Sequence, residues 1–356
     1  KSTGNMSVSG TTTSITNTAG NAEIDVTGTY TQSGGSVAAK NITAGTSISA
    51  TGGQINVKTL EAPTVSLNGT NSVTVTADNI LADGGIYVSN ANLTVNNNIG
   101  TSVRQVASYT QEAGSNTNVT GTIYSNGDVS VQGSLTAGNV VSSAGKYTQN
   151  AATVAISDGG SITAQTTVGT VDGSIALGDG STIEAKTGDI TVNGTTITDA
   201  NNSARIISAG KYTQSGTANV HVNSLLPSGS VDVQGGSLTT EYIGNTDKKI
   251  TTYNQSAGTV NTDYIYTTGA ATISGGSLTL NEIGVIGGTL DISNTAEFNN
   301  YASLLSIGGK FTQKSGTKTI VQDDTKIEAQ SYELENNATL ELLKNAEFAT
   351  TNSFVV

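Results

Sequence analysis

The sequence predicts an all-β fold, a β-solenoid in which each coil takes about 20 residues. Three observations predict it: an aromatic-Thr-Gln segment that recurs along the chain, stretches in which Val, Ile or Leu alternate with polar residues, and Asn-Gly or Asp-Gly pairs between those stretches. The periodicity spans nearly all of the 356 residues. We therefore expect a single solenoid domain over residues 1–356.

Six copies of the aromatic-Thr-Gln segment, called the box here, occur along the chain, and one copy has Asn in place of Thr. The ring positions are Tyr30, Tyr109, Tyr147, Tyr212, Tyr253 and Phe311. Successive rings are 79, 38, 65, 41 and 58 residues apart, close to four, two, three, two and three steps of about 20 residues. Rings that return only every two to four coils are too sparse for a continuous ligand groove. We expect structural anchors, with the Gln amides bound to buried backbone.

Strands and corners account for the sequence between the boxes. Segments 72–76, 92–95 and 189–192 alternate Val, Ile or Leu with polar residues, which is the period of a half-buried β-strand. The Asn-Gly and Asp-Gly pairs supply the positive φ that a corner between strands needs. No helix signal precedes residue 330, which excludes βαβ folds.

The C-terminal part, from about 310 to 356, is more charged than the rest. Twelve of the 42 charged side chains lie between residues 310 and 347. Residues 333–343 have the spacing of an amphipathic helix, but residues 340–348 repeat the pattern of 290–298, fifty residues earlier. Because the earlier segment is predicted as strand, we expect strand here as well.

The composition excludes several classes of partner. The net charge is −12, the only arginines are Arg104 and Arg205, and the lysines are scattered, so the clustered cations that bind nucleic acid are missing. No run of 18 apolar residues exists, so we expect no membrane insertion of this segment. Cysteine is absent, which excludes disulfides and thiolate metal sites and suits export across a bacterial outer membrane.

No catalytic site, metal site or cofactor is expected. Asp323 and Asp324 form the only adjacent acidic pair and lack the partner motifs of polysaccharide-cleaving β-helix enzymes, so we expect a solvated corner. His221 is the only histidine, and one histidine cannot build a His-rich zinc site. Asp172-Gly and Asp179-Gly lack the full nonapeptide of calcium-binding repeats, so plain turns are expected.

Three tyrosines are the best candidates for binding carbohydrate. Tyr264 and Tyr266 are two residues apart and share a strand face, and Tyr242 lies about one coil earlier. Rings grouped on a surface suit the apolar faces of sugars. We expect a binding platform here, with ordinary surface packing as the alternative.

The repeated phrases Tyr-Thr-Gln-Ser-Gly-Gly-Ser-Val at 30–37, Gly-Lys-Tyr-Thr-Gln and Gly-Gly-Ser-Leu-Thr resemble the β-helical passenger regions of autotransporters and the related filamentous-haemagglutinin-like exoproteins. The resemblance covers most of the chain. It implies a right-handed parallel β-helix that is extracellular and displayed at a bacterial cell surface. Because neither a secretion domain nor a membrane barrel is recognisable, we expect an internal fragment or a matured passenger.

The same resemblance implies a structural or adhesive role, as the passenger or stalk of a surface adhesin. The partner would be a host or matrix glycan or protein. The main alternative is a subunit of a self-assembling extracellular filament, which would bind copies of itself through the solenoid ends. A polysaccharide-degrading β-helix enzyme is the less favoured alternative.

Overall fold

Parallel strands build the whole described structure. The computed structural model describes residues 1–17 and 19–355, and their side chains except those of residues 70 and 71. Within that part of the chain no helix is formed, and the strands stack in parallel as the coils of a β-solenoid. The predicted all-β solenoid is confirmed.

Contacts between residues divide the chain into two compact units, Lys1–Ser181 and Thr182–Val356. The single domain expected over residues 1–356 stays a prediction.

The described residues of the first unit form β1 Met6–Val8, β2 Ser14–Ile15, β3 Glu23–Val26, β4 Thr29–Ala38, β5 Asn41–Ala44, β6 Ser47–Glu61, β7 Thr64–Leu81, β8 Gly85–Ile99, β9 Ser108–Gln111, β10 Asn116–Ser125, β11 Val129–Val131, β12 Ser134–Ser142, β13 Tyr147–Ala164 and β14 Val168–Leu177. Those of the second unit form β15 Thr182–Ala185, β16 Ile190–Asn193, β17 Thr196–Asp199, β18 Arg205–Ser208, β19 Tyr212–Ser215, β20 Asn219–Pro227, β21 Val231–Ile243, β22 Tyr253–Thr267, β23 Ala271–Ile273, β24 Ser277–Ile286, β25 Leu290–Ile292, β26 Glu297–Asn300, β27 Leu304–Gln313, β28 Lys318–Val321, β29 Lys326–Leu334, β30 Thr339–Leu342 and β31 Glu347–Val355.

Side chains of successive coils lie above one another in inward ladders, and one of them carries the box rings. In the first unit this ring ladder contains Met6, Tyr30, Ile48, Val65, Ile86, Tyr109, Val129, Tyr147 and Val168. In the second unit it contains Ile190, Tyr212, Val231, Tyr253, Ala271, Leu290, Phe311, Tyr332 and Phe354. The coils are about 21 residues apart, against about 20 predicted, and the units together contain about 17 turns.

Alternation along each strand fills this core. In β6 the side chains of Ile48, Ala50, Ile55 and Leu60 are at most 2% exposed, whereas those of Gln54, Asn56 and Lys58 are exposed. Each coil therefore buries only a few side chains against its two neighbours, and a fully buried Ile or Leu contributes about 1.5 to 3 kcal/mol. A chain with few apolar residues can form a continuous core in this way.

The charged C-terminal part is strand, as predicted. Within residues 333–343, β29 ends at Leu334, a turn follows, and β30 covers Thr339–Leu342, so no helix forms. The repeat at fifty residues, however, does not mark equivalent positions: Leu290 lies in the ring ladder, whereas Leu340 pairs with Thr319 in another ladder. An offset of fifty residues equals two coils plus one side of a coil. The two similar segments therefore lie on different sides of the solenoid.

Lysine and glutamate side chains on neighbouring coils account for much of the charge in this part. Lys310 pairs with Glu333, and the Lys318 Nζ lies 3.0 Å from a Glu341 carboxylate oxygen. These pairs are exposed, so each contributes at most about 1 kcal/mol. Their effect is to neutralise two acidic side chains of this part.

Candidate functional site

The six box rings lie in the interior. Each belongs to the ring ladder of its unit, and none has measurable solvent exposure. The ladder steps agree with the sequence spacing, because Tyr30 and Tyr109 are four coils apart and Tyr109 and Tyr147 are two coils apart. In the second unit, two coils separate Tyr212 from Tyr253. A ring with no exposed surface cannot contact a ligand, so the box belongs to the framework.

The glutamine of each box joins the ring to the backbone. The tyrosine hydroxyl donates to the Oε1 of the glutamine two residues later in the pairs Tyr30–Gln32 (2.7 Å), Tyr109–Gln111 (2.9 Å), Tyr147–Gln149 (3.2 Å), Tyr212–Gln214 (2.9 Å) and Tyr253–Gln255 (2.7 Å). The glutamine Nε2 donates to two main-chain carbonyls. Gln255, for example, reaches Gly258 (3.1 Å) in its own coil and Ser277 (3.0 Å) in the next. Buried carbonyls at a corner need such donors.

The Phe311 box lacks a hydroxyl, and the following coil supplies one. Tyr332 is the next residue of the ring ladder, and its hydroxyl donates to the Oε1 of Gln313 at 2.9 Å. The rings of Phe311 and Tyr332 pack edge to face with centroids 5.0 Å apart. The amide of Gln313 is therefore satisfied as in the other boxes.

Six core tyrosines should ionise only as the fold opens. Burial raises the pKa of each of them above the ordinary tyrosine value, and they are Tyr30, Tyr109, Tyr147, Tyr212, Tyr253 and Tyr332. Because the folded-state pKa is raised, burial of the protonated rings stabilises the folded state fully below about pH 10. That contribution is lost as the pH rises toward the folded-state pKa. In an alkaline titration we expect a late rise in tyrosinate absorbance that coincides with loss of the β-sheet circular dichroism. Complete ionisation of all twelve tyrosines with the circular dichroism intact would contradict it.

Tyr242, Tyr264 and Tyr266, called the tyrosine face here, meet on the surface of the second unit. Tyr242 on β21 pairs with Tyr264 on β22, and both are half-buried. Their ring centroids are 4.7 Å apart and their planes differ by 10°. The ring of Tyr266, which is 9% exposed, lies 6.3 Å from that of Tyr264 at an angle of 12°. The structure thus brings together the three rings that the sequence singled out.

A corner of the coil places the rings. Buried Thr240 is followed by two outward residues, Glu241 and Tyr242, and its hydroxyl lies 3.2 Å from the carbonyl oxygen of Tyr242. In the next coil the hydroxyl of buried Thr262 lies 3.1 Å from the carbonyl oxygen of Tyr264. Because both hydroxyls hold the main chain of a ring-bearing residue, the two rings are fixed at the coil spacing of about 4.8 Å.

Stacking decides which surfaces the rings offer to a ligand. The rings of Tyr242 and Tyr264 are nearly parallel, so each covers one face of the other. On the following coil Ile283 pairs with Tyr264 and Val285 pairs with Tyr266, and both are half-buried. The result is an apolar strip of ring edges and aliphatic side chains that runs along the stacked coils.

Carboxylates line one border of this strip. Three consecutive coils place an acidic residue directly before it: Glu241, Asp263 and Glu282. A hydrogen bond to Glu241, burial and the charge of that carboxylate raise the pKa of Tyr242 to about 12. Burial and the carboxylates of Glu282 and Glu241 also raise the pKa of Tyr264. The charge of the carboxylates contributes to both shifts and agrees with a negative potential at the rings.

The remaining sequence candidates are dispersed. His221 is exposed on β20, and Asp172 and Asp179 are exposed near corners of the first unit. The Oδ1 of Asp323 accepts the main-chain N–H of Lys344 at 3.1 Å. Among the described residues, no group of three or more His, Cys, Asp or Glu side chains is arranged to hold a metal ion. The structure therefore brings together the tyrosine face and none of these other positions.

Two matching loops were missed by the sequence interpretation. Residues 100–106 in the first unit and 244–250 in the second each begin at the Gly of an Ile-Gly pair and lead to a box tyrosine. The two glycines have φ of 69° and 65°. In each loop the carbonyl of a basic residue, Arg104 or Lys248, accepts the N–H three positions earlier, at 2.8 and 2.9 Å. In both loops an Ile-Gly pair is followed by Arg or Lys, then by Val or Ile, and then by the box Tyr. The second copy comes 144 residues after the first, and this recurrence is the signal that could have found the loops.

The basic residue of the first loop holds it against earlier coils, and that of the second lies near an acidic side chain. Arg104 binds Glu61 at 2.6 Å and Asp83 at 2.8 Å, and its hydrogen bond lowers the pKa of the Asp83 carboxyl. In the second unit burial lowers the pKa of Lys248, and the charge of Glu184 opposes that shift. The second loop follows Tyr242 and Ile243 directly, so it lies beside the tyrosine face.

The chain as a whole was compared with known proteins. Comparisons with protein families, with curated proteins and with solved structures found no match. The resemblance to autotransporter passengers therefore stays an expectation drawn from the repeated phrases. No helix in the described residues is long and apolar enough to cross a membrane. The function is therefore inferred from the tyrosine face itself.

Proposed function

We propose that the protein is an extracellular adhesive β-solenoid, the passenger or stalk of a surface adhesin, and that the tyrosine face binds a glycan. The observation that carries this proposal is the stack of Tyr242 and Tyr264 at half-buried, outward positions beside the nearly buried ring of Tyr266. Among the described residues, it is the only group of contacting aromatic rings outside the terminal cluster formed by Phe311, Tyr332, Phe348 and Phe354.

The placement of the rings supports a binding role over simple packing. Surface positions on the strands of this chain are mostly Thr, Ser, Asn and charged residues, which need no apolar neighbour. The rings instead continue into aliphatic side chains on the next coil, Ile283 and Val285. Apolar side chains grouped on a surface mark an interaction site, and tyrosine adds a hydroxyl that can bind a polar ligand.

Removal of the rings of Tyr242 and Tyr264 should weaken glycan binding. The change is Tyr242→Ala together with Tyr264→Ala, and the probe is a neutral hexamer of β-1,4-linked N-acetylglucosamine, titrated by calorimetry into the whole chain. We expect at least a tenfold loss of affinity, about 1.4 kcal/mol, because the apolar strip is lost. The matched control is Tyr87→Ala with Tyr301→Ala, which removes two rings that are 37% and 50% exposed elsewhere. Equal affinity of both double variants would refute the tyrosine face as the binding site.

Self-association into a filament is the second candidate. It is favoured by the parallel main-chain pairing of each coil with the next, since the same pairing joins one molecule to another in a filament. Electron microscopy of the purified chain distinguishes the two proposals. Long filaments would support self-association, and single particles at high concentration would exclude it.

A further inference from the structure

The three carboxylates beside the tyrosine face are held in place but are not neutralised. The Nδ2 of Asn223 donates to Glu241 at 2.7 Å, and the Nδ2 of Asn281 donates to Asp263 at 2.9 Å. These amides come from neighbouring coils and orient the carboxylates without cancelling their charge. Glu282, on the third coil, is exposed.

Several other acidic side chains of the second unit are paired with lysine. Glu333, Glu341 and Glu347 each lie within 4 Å of a lysine on a neighbouring coil or pair with it directly. In the described part of the chain no lysine or arginine forms an ion pair with Glu241, Asp263 or Glu282. Three unneutralised charges at successive coils repel one another. A cationic ligand would relieve that repulsion.

From this arrangement we infer that the tyrosine face selects a cationic glycan, a chain of amino sugars whose ammonium groups meet Glu241, Asp263 and Glu282. The inference rests on the proposed function and names the ligand class of the same surface. An extended chain of linked pyranose rings advances by roughly one ring per coil spacing of about 4.8 Å. Alternate rings of a β-1,4-linked chain are turned over, so every second ammonium group faces the carboxylate border while the apolar faces of the sugar rings lie on the strip.

The aromatic rings add to the selection of charge. An ammonium group over a tyrosine ring face that the stack leaves open gains a cation–π interaction. A uronic acid would instead place its carboxylate against the three acidic side chains, which costs free energy through like-charge repulsion. The expected order of affinity is cationic, then neutral, then anionic glycan.

Three hexamers test this order on the whole chain: β-1,4-glucosamine, β-1,4-N-acetylglucosamine and α-1,4-galacturonate. We expect the glucosamine hexamer to bind about tenfold more tightly than the neutral hexamer, with a preference that weakens as sodium chloride is added. Galacturonate should bind most weakly. Equal or tighter binding of galacturonate by the wild type would overturn the charge selection.

Isosteric variants assign the preference to the three carboxylates. Glu241→Gln, Asp263→Asn and Glu282→Gln together should bring the glucosamine hexamer to the affinity of the neutral one, both measured on the same variant. The control triple variant, Asp158→Asn, Asp172→Asn and Asp179→Asn, changes the net charge equally at corners of the first unit and should keep the preference. If both triple variants keep it, the carboxylates do not select the ligand.

The two proposals fail in different ways. If no hexamer binds, or if Tyr242→Ala with Tyr264→Ala binds all three as the wild type does, the proposed function is wrong. If binding depends on the rings but not on ligand charge, the proposed function stands and the selection of amino sugars is wrong.

Discussion

Replacement of Tyr212 by alanine should lower the free energy of unfolding by about 3 to 5 kcal/mol, the cost of truncating a large buried aromatic side chain. The ring is fully buried, and its hydroxyl donates to Gln214 at 2.9 Å. Removal leaves a cavity in the ring ladder and an unpaired Oε1. Denaturant titration followed by β-sheet circular dichroism measures the loss.

Two further variants separate the ring from the hydroxyl. Tyr212→Phe keeps the ring and removes only the donor to Gln214, so we expect a smaller loss of about 1 to 3 kcal/mol. Tyr301→Ala removes a ring that is 50% exposed and should change stability by no more than about 0.5 kcal/mol. If Tyr212→Ala costs as little as Tyr301→Ala, the boxes are not anchors.

Gly236→Ala should destabilise the second unit by about 2 to 5 kcal/mol. Gly236 has a φ of 75°, and a Cβ at this position would lie 1.9 Å from the carbonyl oxygen of Ala218 on the preceding coil. The left-handed conformation costs an alanine about 1 to 2 kcal/mol, and the crowding adds about 1 to 3 kcal/mol. Thermal unfolding checks the prediction.

Gly169→Ala is the matched control for this substitution. Gly169 lies in strand β14, its φ is outside the left-handed region, and no atom lies within 4 Å of an added Cβ. We expect no loss, and a gain of up to about 1 kcal/mol because alanine restricts the unfolded chain. Similar losses in both variants would show that the corner geometry at Gly236 is not what requires glycine.

The sequence predicted the periodic part of the fold because the box occupies one structural position. Tyr253 and Phe311 are three coils apart, as their spacing indicated, since the coils between them vary by only a few residues. The same variation in coil length hides the equivalence of positions. Leu290 and Leu340 belong to similar phrases on different sides of the coil, and no single-residue signal distinguishes those sides.

The residues of the candidate site could be predicted from the sequence, but their geometry could not. The spacing of Tyr242, Tyr264 and Tyr266 placed the rings near one another, because strand period and coil length are both regular. Their stacking depends on the corner fixed by Thr240, whose side chain is polar and buried, against the usual rule for threonine. The carboxylate border depends on the same corner, where two consecutive residues face outward.

The acceptors of the box glutamines have a consequence for how such a chain can evolve. Gln255 donates to the carbonyls of Gly258 and Ser277, so both acceptors belong to the main chain. Main-chain carbonyls are present whatever residue a neighbouring coil carries. A duplicated or deleted segment of one coil length therefore meets the same acceptors, provided that it keeps the register. Gene slippage in whole-coil increments would change the number of coils in a descendant without a single compensating substitution in the box.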